Sequence, residues 1–169
     1  TISTENQINE LLTAFKNFED ISIIFTYPNA DNENKKIIQK IKEFCEKRRN
    51  SLFVKSLGQI KYFSCIKAID CVVGNSSSGI IEVPSFNKAT INIGSRQHGR
   101  LKANSIIDCD ISSKDIINSI KKVYSSEFKK QLLNIENPYG KEGALEKIFK
   151  ILVDFKKPDN IQKNFYDLF

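Results

Sequence analysis

Apolar residues recur along this chain at two spacings that alternate with each other. Helical spacing predicts amphipathic helices within residues 4–18, 37–45, 62–69, 80–83, 116–124 and 145–155. Short continuous apolar runs predict buried strands at residues 21–27, 52–55, 70–74, 89–94 and 105–109. Such strands lack polar alternation, so we expect helices to cover both faces of their sheet. The pattern therefore predicts an α/β fold with a Rossmann-like open parallel sheet.

The length of 169 residues suits one buried core, so we expect a single domain over residues 1–169. Residues 137–140 favour a turn or loop. The tail, residues 159–169, is rich in aromatic residues and is expected to pack against another surface. No apolar run approaches the roughly eighteen residues that cross a bilayer, and the N-terminus lacks the plan of a signal peptide. These features predict a protein with no membrane partner.

Charge and cysteine content narrow the class further. The net charge of +6 suits a polyanion, but many basic residues fall in helical stretches, where they ordinarily form the solvated face. These residues are Lys35, Lys36, Lys40, Lys42, Lys47, Arg48, Lys121, Lys122, Lys129 and Lys130. We therefore expect no nucleic acid as partner, although a basic nucleic-acid-binding module stays open as an alternative. The four cysteines form no CxxC pair and only one histidine is present, so we expect no metal, no cofactor and reduced thiols in a cytoplasmic protein.

The most informative stretch is residues 73–100, VGNSSSGIIEVPSFNKATINIGSRQHGR. A strand ends at Gly74, and a small polar turn then leads into a helix, whose free N–H groups and dipole favour an anion such as phosphate. The turn is not a P-loop, because the lysine of that motif is absent. A simpler interpretation is that Ser77 or Ser78 only caps the helix. Glu82, expected in the first turn, either complements the helix dipole or accepts hydrogen bonds from ribose hydroxyls.

Several motifs at fixed spacing belong together: YPN at residues 27–29, SLG at 56–58, GNSSSGIIE at 74–82, then PSF, TINIG and RQ-x-GR. This set resembles the signature of the UDP-N-acetylglucosamine 2-epimerase family, especially its hydrolysing members of sialic-acid pathways. The likeness extends over nearly the whole chain. It implies a GT-B-like enzyme of two Rossmann-type domains that hold a UDP-sugar between them. Residues 1–169 then correspond to the C-terminal UDP-binding domain, with the N-terminal catalytic half of the protein absent from this chain.

The resemblance assigns roles to individual residues at the centre of the motif. Ser76 and Ser77 would contact the diphosphate, and Glu82 would accept hydrogen bonds from the ribose. Arg96 would neutralise or position the nucleotide. The alternative for Arg96 is an ordinary surface charge.

The outer motifs add two further substrate-binding residues. Asn29 would face the sugar, unless it only caps a turn after Pro28. Ser56 lies where the family's loop meets uracil. The remaining motif residues receive no contact, and they are Gln97, Gly99 and Arg100.

Two residues depart from the family pattern. His98 stands where lysine is more common, and we interpret it as incidental and not as a general base. Ser95 replaces a common aspartate, which leaves the fine substrate preference open. The sequence assigns no catalytic residue to this chain.

The resemblance implies a reaction that releases UDP and free N-acetylmannosamine. It needs a proton acceptor, a proton donor and a cationic environment for the departing diphosphate, and only the last belongs plainly to this chain. We therefore expect residues 1–169 alone to bind UDP weakly and to be inactive. A UDP-2,4-diacetamido-trideoxy-hexose as substrate, and a UDP-sugar glycosyltransferase as enzyme class, stay open. A homo-oligomer of the full-length protein also stays open.

Overall fold

The structure, a computed structural model, describes residues 3–28, 34–140 and 143–156. The chain divides into two compact units, residues 1–139 and 140–169. The larger unit alternates helices and strands in the order α1 (Thr4–Lys16), β1 (Ile23–Thr26), α2 (Asn34–Glu46), β2 (Ser51–Val54), α3 (Gly58–Ala68), β3 (Cys71–Gly74), α4 (Ser77–Ile81), a 3-10 turn (Val83–Phe86), β4 (Ala89–Ile93), β5 (Ile106–Cys109), α5 (Ser113–Tyr124) and α6 (Ser126–Gln131). Asn29 and the tail, residues 159–169, lie outside the described residues.

The smaller unit contributes one described helix, α7 (Ala144–Asp154), which follows Gly143. Glu146 lies in its first turn, where a negative side chain complements the helix dipole. Its large apolar side chains are exposed, among them Ile148, Phe149 and Leu152. Within the described ranges, no helix combines the length and the apolar character needed to cross a membrane.

Serine side chains fix where several helices begin. Ser3 accepts a hydrogen bond from the backbone N–H of Asn6 at the start of α1, and Ser112 accepts one from Asp115 at the start of α5. The Ser112 hydroxyl in turn donates to the Asp115 carboxylate over 2.6 Å. Each cap satisfies an N–H group that the first helical turn leaves unpaired.

Within the described ranges, the strands form two hydrogen-bonded groups, and the strands of each group run parallel to one another. One group pairs β1 with β2, and the other has the order β3-β4-β5. The register pairs Ile23 with Ser51 in the first group and Cys71 with Ala89 in the second. Phe25 of β1 and Ile91 of β4 belong to the same hydrophobic cluster, so both groups contribute to one core.

Helices cover both faces of β4, as the sequence predicts. Ala89 and Ile91 point into the main core, which also contains Ile116 and Ile120 of α5. Thr90 lies between them and therefore points to the opposite face. Its hydroxyl donates to the backbone carbonyl of Gly79 in α4 over 2.7 Å, so α4 lies on that second face.

The predicted helices and strands are all present, with three differences. The helix expected around residues 80–83 is only the five-residue α4, followed by a 3-10 turn, because Pro84 has no backbone N–H to continue an α-helix. Helix α6 was not predicted as a separate element, since its six residues are too few to show a periodic pattern. Strand β1 is shorter than predicted, at Ile23–Thr26.

One of the basic residues assigned to a solvated helix face is not there, and this prediction was wrong. Arg48 lies beyond the end of α2, and its guanidinium donates to backbone carbonyls of Phe15 and Ile21 at 2.9 and 2.8 Å and also to that of Phe18. The planar fork of arginine can serve several carbonyls at once, which lysine cannot do. Arg48 therefore holds the connection between α1 and β1 in place.

Candidate functional site

The loops that carry most of the predicted site residues follow consecutive strands of the fold. Ser56 follows β2, Ser76 follows β3 and Arg96 follows β4. These positions are at the carboxyl ends of parallel strands, where open α/β sheets bind their ligands. Asn29, which would follow β1, lies outside the described residues.

The serine bend, defined here as residues 75–78, leads from β3 into α4. Gly74 at its start has a φ of 151°. Ser76 is the N-cap of α4, and its Oγ accepts a hydrogen bond of 3.4 Å from the backbone N–H of Ser78. The interpretation that Ser77 or Ser78 is the cap was therefore wrong by one or two residues. Ser76 is exposed and Ser77 is half-buried in the first turn, so the bend presents hydroxyls at a helix start.

Glu82 lies at the end of α4 and not in its first turn, which corrects the sequence prediction. The helix has only one turn and a half, so Glu82 is its C-cap and the start of the 3-10 turn. Its Oε2 accepts a hydrogen bond of 2.6 Å from the hydroxyl of Ser78, one turn earlier. The Ser78 hydroxyl also lies 2.5 Å from the hydroxyl of Tyr62 in α3. The carboxylate is thus joined to the serine bend by a direct hydrogen bond.

Helix α4 approaches β4 so closely that only glycine fits at the contact. A Cβ atom on Gly79 would lie 2.7 Å from Cγ2 of Thr90, far inside van der Waals contact. The two residues are both buried and share the hydrogen bond from the Thr90 hydroxyl. This contact sets the distance of the serine bend from the sheet.

Gln97 joins the loops that follow β3 and β4. Its side chain is 4% exposed, and its Nε2 donates a hydrogen bond of 2.8 Å to the backbone carbonyl of Asn75. Arg96, its neighbour in sequence, is exposed. The buried amide therefore anchors the loop that carries Arg96 to the serine bend.

The Ser56 turn has a local hydrogen bond of its own. The Ser56 hydroxyl accepts from the backbone N–H of Gly58 over 3.2 Å, and Gly58 adopts a φ of 62°. Tyr27, directly after β1, stacks on Phe53 of β2 with a centroid distance of 4.6 Å.

Separate from the serine bend, a cleft of about 770 Å³ lies beyond β4 and β5. It is lined by Gly94, Ser95, His98, Lys102, Asp108, Cys109, Asp110, Ile111, Asp115, Asn118, Ser119 and Lys122. Lys102 lies 2.8 Å from both carboxylate oxygens of Asp108, and Asn92 donates to Oδ1 over 2.7 Å. Burial works to raise the pKa of Asp108, but these two donors outweigh it and lower the pKa below its usual value. Both predicted departures from the family pattern, Ser95 and His98, line this cleft.

The cysteines and potential metal ligands add no further reactive centre among the described residues. All four cysteines are unpaired. Burial raises the pKa of the Cys71 thiol to about 12, and the charge of Asp70 adds to this effect. Cys71 is therefore protonated at neutral pH and a poor nucleophile. Within the described ranges, no three His, Cys, Asp or Glu side chains come together as a metal site.

Three hydrogen bonds of the site escaped the sequence analysis, for different reasons. They join Ser78 to Glu82, Gln97 to Asn75, and Tyr62 to Ser78. The spacing of four between Ser78 and Glu82 is a signal for a side-chain pair on one helix, and it was available. Gln97 was noted as part of the motif, but its burial could not be known from sequence. Tyr62 gave no signal, because its partner Ser78 is 16 positions away and the contact depends on how α3 packs.

The fold and the polar bend define a Rossmann-like α/β domain with helices on both faces of parallel strands. The family model described as UDP-N-acetylglucosamine 2-epimerase matches residues 2–153. The chain belongs to this family.

Individual relatives agree with this assignment. The chain is 40% identical to the polysialic acid biosynthesis protein P7 of Escherichia coli, over 99% of this chain and 43% of the relative. It is 38% identical to the hydrolysing GDP/UDP-N,N'-diacetylbacillosamine 2-epimerase of Campylobacter jejuni, over 98% of this chain and 43% of the relative. The chain therefore spans less than half the length of these curated relatives.

Solved structures share the fold. The UDP-N-acetylglucosamine 2-epimerase of Neisseria meningitidis, bound to UDP-GlcNAc, superposes with a TM-score of 0.67 at 19% identity. The match covers 89% of this chain and 41% of that one. A structure of a similar protein from Listeria monocytogenes gives a TM-score of 0.71 at 13% identity, over 90% of this chain and 43% of that one. The predicted Rossmann-like fold is confirmed, and it matches a little under half of each of these longer chains.

Proposed function

We propose that residues 1–169 form the UDP-binding half of a hydrolysing UDP-N-acetylglucosamine 2-epimerase, which releases N-acetylmannosamine and UDP. The observation that carries the proposal is the hydrogen bond from Ser78 to Glu82. It keeps a carboxylate one helical turn away from a bend of hydroxyls and helix-start N–H groups. A nucleoside diphosphate needs this pair of features, since its phosphates accept hydrogen bonds and its ribose donates them.

In this proposal each group of the nucleotide has its own partner. Ser76 and Ser77 donate to the diphosphate, because a helix start carries partial positive charge. Glu82 accepts hydrogen bonds from the ribose hydroxyls, and Arg96 neutralises phosphate charge. Ser56 lies at the uracil.

The sugar side and the chemistry belong to a further part of the protein. Asn29 would face the sugar. The proton acceptor and donor of the reaction would lie in an N-terminal half, which agrees with a chain that spans 43% of its relatives' length. Residues 1–169 alone are therefore expected to bind UDP without converting a UDP-sugar. Epimerisation by the isolated chain would contradict this division of labour.

Titration of the chain with UDP tests the binding site. We expect Glu82→Ala and Ser76→Ala each to weaken UDP binding about tenfold or more, because a charge-assisted hydrogen bond contributes about 1.5 to 3 kcal/mol. The matched control is Glu46→Ala, which removes an exposed carboxylate from the end of α2. Equal affinities of all four proteins would contradict the site. Tight binding of RNA that UDP does not displace, and that falls steeply with salt, would instead support the nucleic-acid alternative.

A second substrate is favoured by a specific observation. Two relatives, at 38% and 30% identity, are named for N,N'-diacetylbacillosamine. We therefore propose a UDP-2,4-diacetamido-trideoxy-hexose as the second candidate substrate, in the same type of reaction. The full-length protein that contains this chain should be assayed with both UDP-sugars, and free sugar should be separated from nucleotide-linked sugar. Release of free N-acetylmannosamine supports the first proposal, whereas transfer to an acceptor would indicate the glycosyltransferase alternative.

A further inference from the structure

Tyr62 of α3 is linked by hydrogen bonds to Glu82, the proposed ribose-binding carboxylate, with the hydroxyl of Ser78 between them. Its hydroxyl lies 2.5 Å from Oγ of Ser78, which donates to Oε2 of Glu82 over 2.6 Å. A serine hydroxyl has only one proton to donate. Because Ser78 gives that proton to Glu82, Tyr62 must be the donor in its bond to Ser78. The hydrogen bonds therefore run in one direction, from the tyrosine to the carboxylate.

Tyr62 is well suited to remain the donor. Burial raises the pKa of Tyr62 above its usual value, although the hydrogen bond with Ser78 works in the opposite direction. The phenol accordingly keeps its proton throughout the neutral range. Its ring lies beside that of Phe63, with centroids 5.9 Å apart, so the hydroxyl is held at the end of a packed side chain.

Only one of the two hydrogen bonds, the one from Ser78, reaches the carboxylate of Glu82, and it engages a single oxygen. Oε2 of Glu82 is bonded to Ser78, while no hydrogen bond from the described residues reaches Oε1. A glutamate side chain normally loses rotamer freedom when it binds a ligand, and that loss weakens binding. A carboxylate that is already held by one oxygen presents the other in a fixed direction.

Helix α3 connects two parts of the proposed nucleotide site. It begins at Gly58, directly after the turn that carries Ser56, and Tyr62 lies one helical turn later. Phe63, the next residue, contacts Phe86 in the 3-10 turn that follows Glu82, with centroids 5.4 Å apart. The helix therefore spans from the turn proposed for uracil to the carboxylate proposed for the ribose.

We infer that Tyr62 is a positioning residue, which orients Glu82 through Ser78 toward the ribose hydroxyls of a bound uridine nucleotide. The inference rests on the proposed function, since it requires a ribose at Glu82. Tyr62 itself is not proposed to touch the ligand.

The test compares UDP with 2′,3′-dideoxy-UDP, which lacks both ribose hydroxyls, as ligands of the wild-type chain and of Tyr62→Phe. Phenylalanine keeps the ring and removes only the donor. We expect Tyr62→Phe to bind UDP about two- to tenfold more weakly, the range of one neutral hydrogen bond, and to bind the dideoxy analogue unchanged. A general defect in folding would weaken both ligands alike, so the ratio of the two affinities reports positioning.

Two further variants sharpen the result. Tyr124→Phe removes a hydroxyl that donates to Asp70 over 3.1 Å, and it should keep the wild-type ratio. In a Glu82→Ala chain, adding Tyr62→Phe should cause no further loss of UDP affinity.

Each contrary outcome has a distinct meaning. If Glu82→Ala abolishes the preference for UDP and Tyr62→Phe retains it, the positioning role is overturned and the nucleotide site stands. A further loss when both substitutions are combined would show that Tyr62 acts independently of Glu82, which also overturns the inference. A wild-type chain that fails to bind UDP, or that binds both ligands equally, would overturn the proposed ribose contact and the inference with it.

Discussion

At the scale of single residues, the position of the proposed site depends on Gly79, where α4 lies too close to Thr90 of β4 for any larger side chain. Alanine is normally favoured over glycine inside a helix by about 1 kcal/mol. At Gly79 the added Cβ would lie 2.7 Å from Cγ2 of Thr90, and Thr90 is itself 2% exposed with little space to move. The steric term therefore outweighs the helix propensity.

We predict that Gly79→Ala destabilises the fold by about 1 to 3 kcal/mol, the usual effect of overpacking a core. It should also weaken UDP binding, because α4 carries Glu82 at its end. Denaturant unfolding and UDP titration measure the two effects.

The matched rescue is Gly79→Ala combined with Thr90→Ser. Serine removes the clashing Cγ2 methyl group and keeps the hydroxyl that donates to residue 79. Most of the lost stability should return in the double variant relative to Thr90→Ser alone. If the double variant were no better than Gly79→Ala, the contact with Thr90 would not be the cause.

At the scale of elements, the connection between α1 and β1 shows how a surface pattern can mislead. Arg48 and Asn50 both donate to backbone carbonyls of this connection, and both reach the carbonyl of Ile21, at 2.8 and 2.7 Å. The Arg48 guanidinium also lies over the Phe44 ring, 5.8 Å from its centroid. These carbonyls belong to a loop between a helix and a strand, so they need side-chain donors or water.

Arg48→Ala should lower the free energy of unfolding by about 2 to 4 kcal/mol, because it removes several hydrogen bonds from a charged donor. The control is Arg49→Ala, since Arg49 is the next residue along and is exposed. Denaturant unfolding of both variants measures the difference. Equal stability of the two would mean that the Arg48 hydrogen bonds contribute nothing net.

The sequence predicted the order of helices and strands well, because apolar spacing reflects local geometry and burial. It failed where tertiary contacts decide the outcome. In the sequence, Arg48 has the same kind of neighbours as the lysines near it. Only its contacts with the end of α1 and the connection to β1 distinguish it. The helix predicted around residues 80–83 does not continue through them as an α-helix, because Pro84 has no backbone N–H to extend it.

For the site, the prediction of Ser76, Ser77 and Glu82 came from the motif, and the structure places them on one short helix and its caps. The motif could not predict that the Tyr62 side chain reaches Ser78, because this contact depends on the packing of α3 against the 3-10 turn. Individual contacts of these residues with a nucleotide stay predictions.

For the whole molecule, the loops after β2, β3 and β4 each follow the carboxyl end of a strand that pairs in parallel with a neighbour, although the loops are far apart in sequence. Gln97 then joins the β3 and β4 loops by a buried hydrogen bond to Asn75. The chain spans 43% of the length of two curated relatives. The division of binding and catalysis between two parts of the full protein stays part of the proposed function.

The most direct test of this account is an experimental structure of the chain with bound UDP. The account predicts diphosphate oxygens within hydrogen-bonding distance of Ser76 or Ser77, and a ribose hydroxyl at Glu82 with the Ser78 hydrogen bond intact. UDP in the cleft lined by His98 and Lys102, with the serine bend empty, would contradict it.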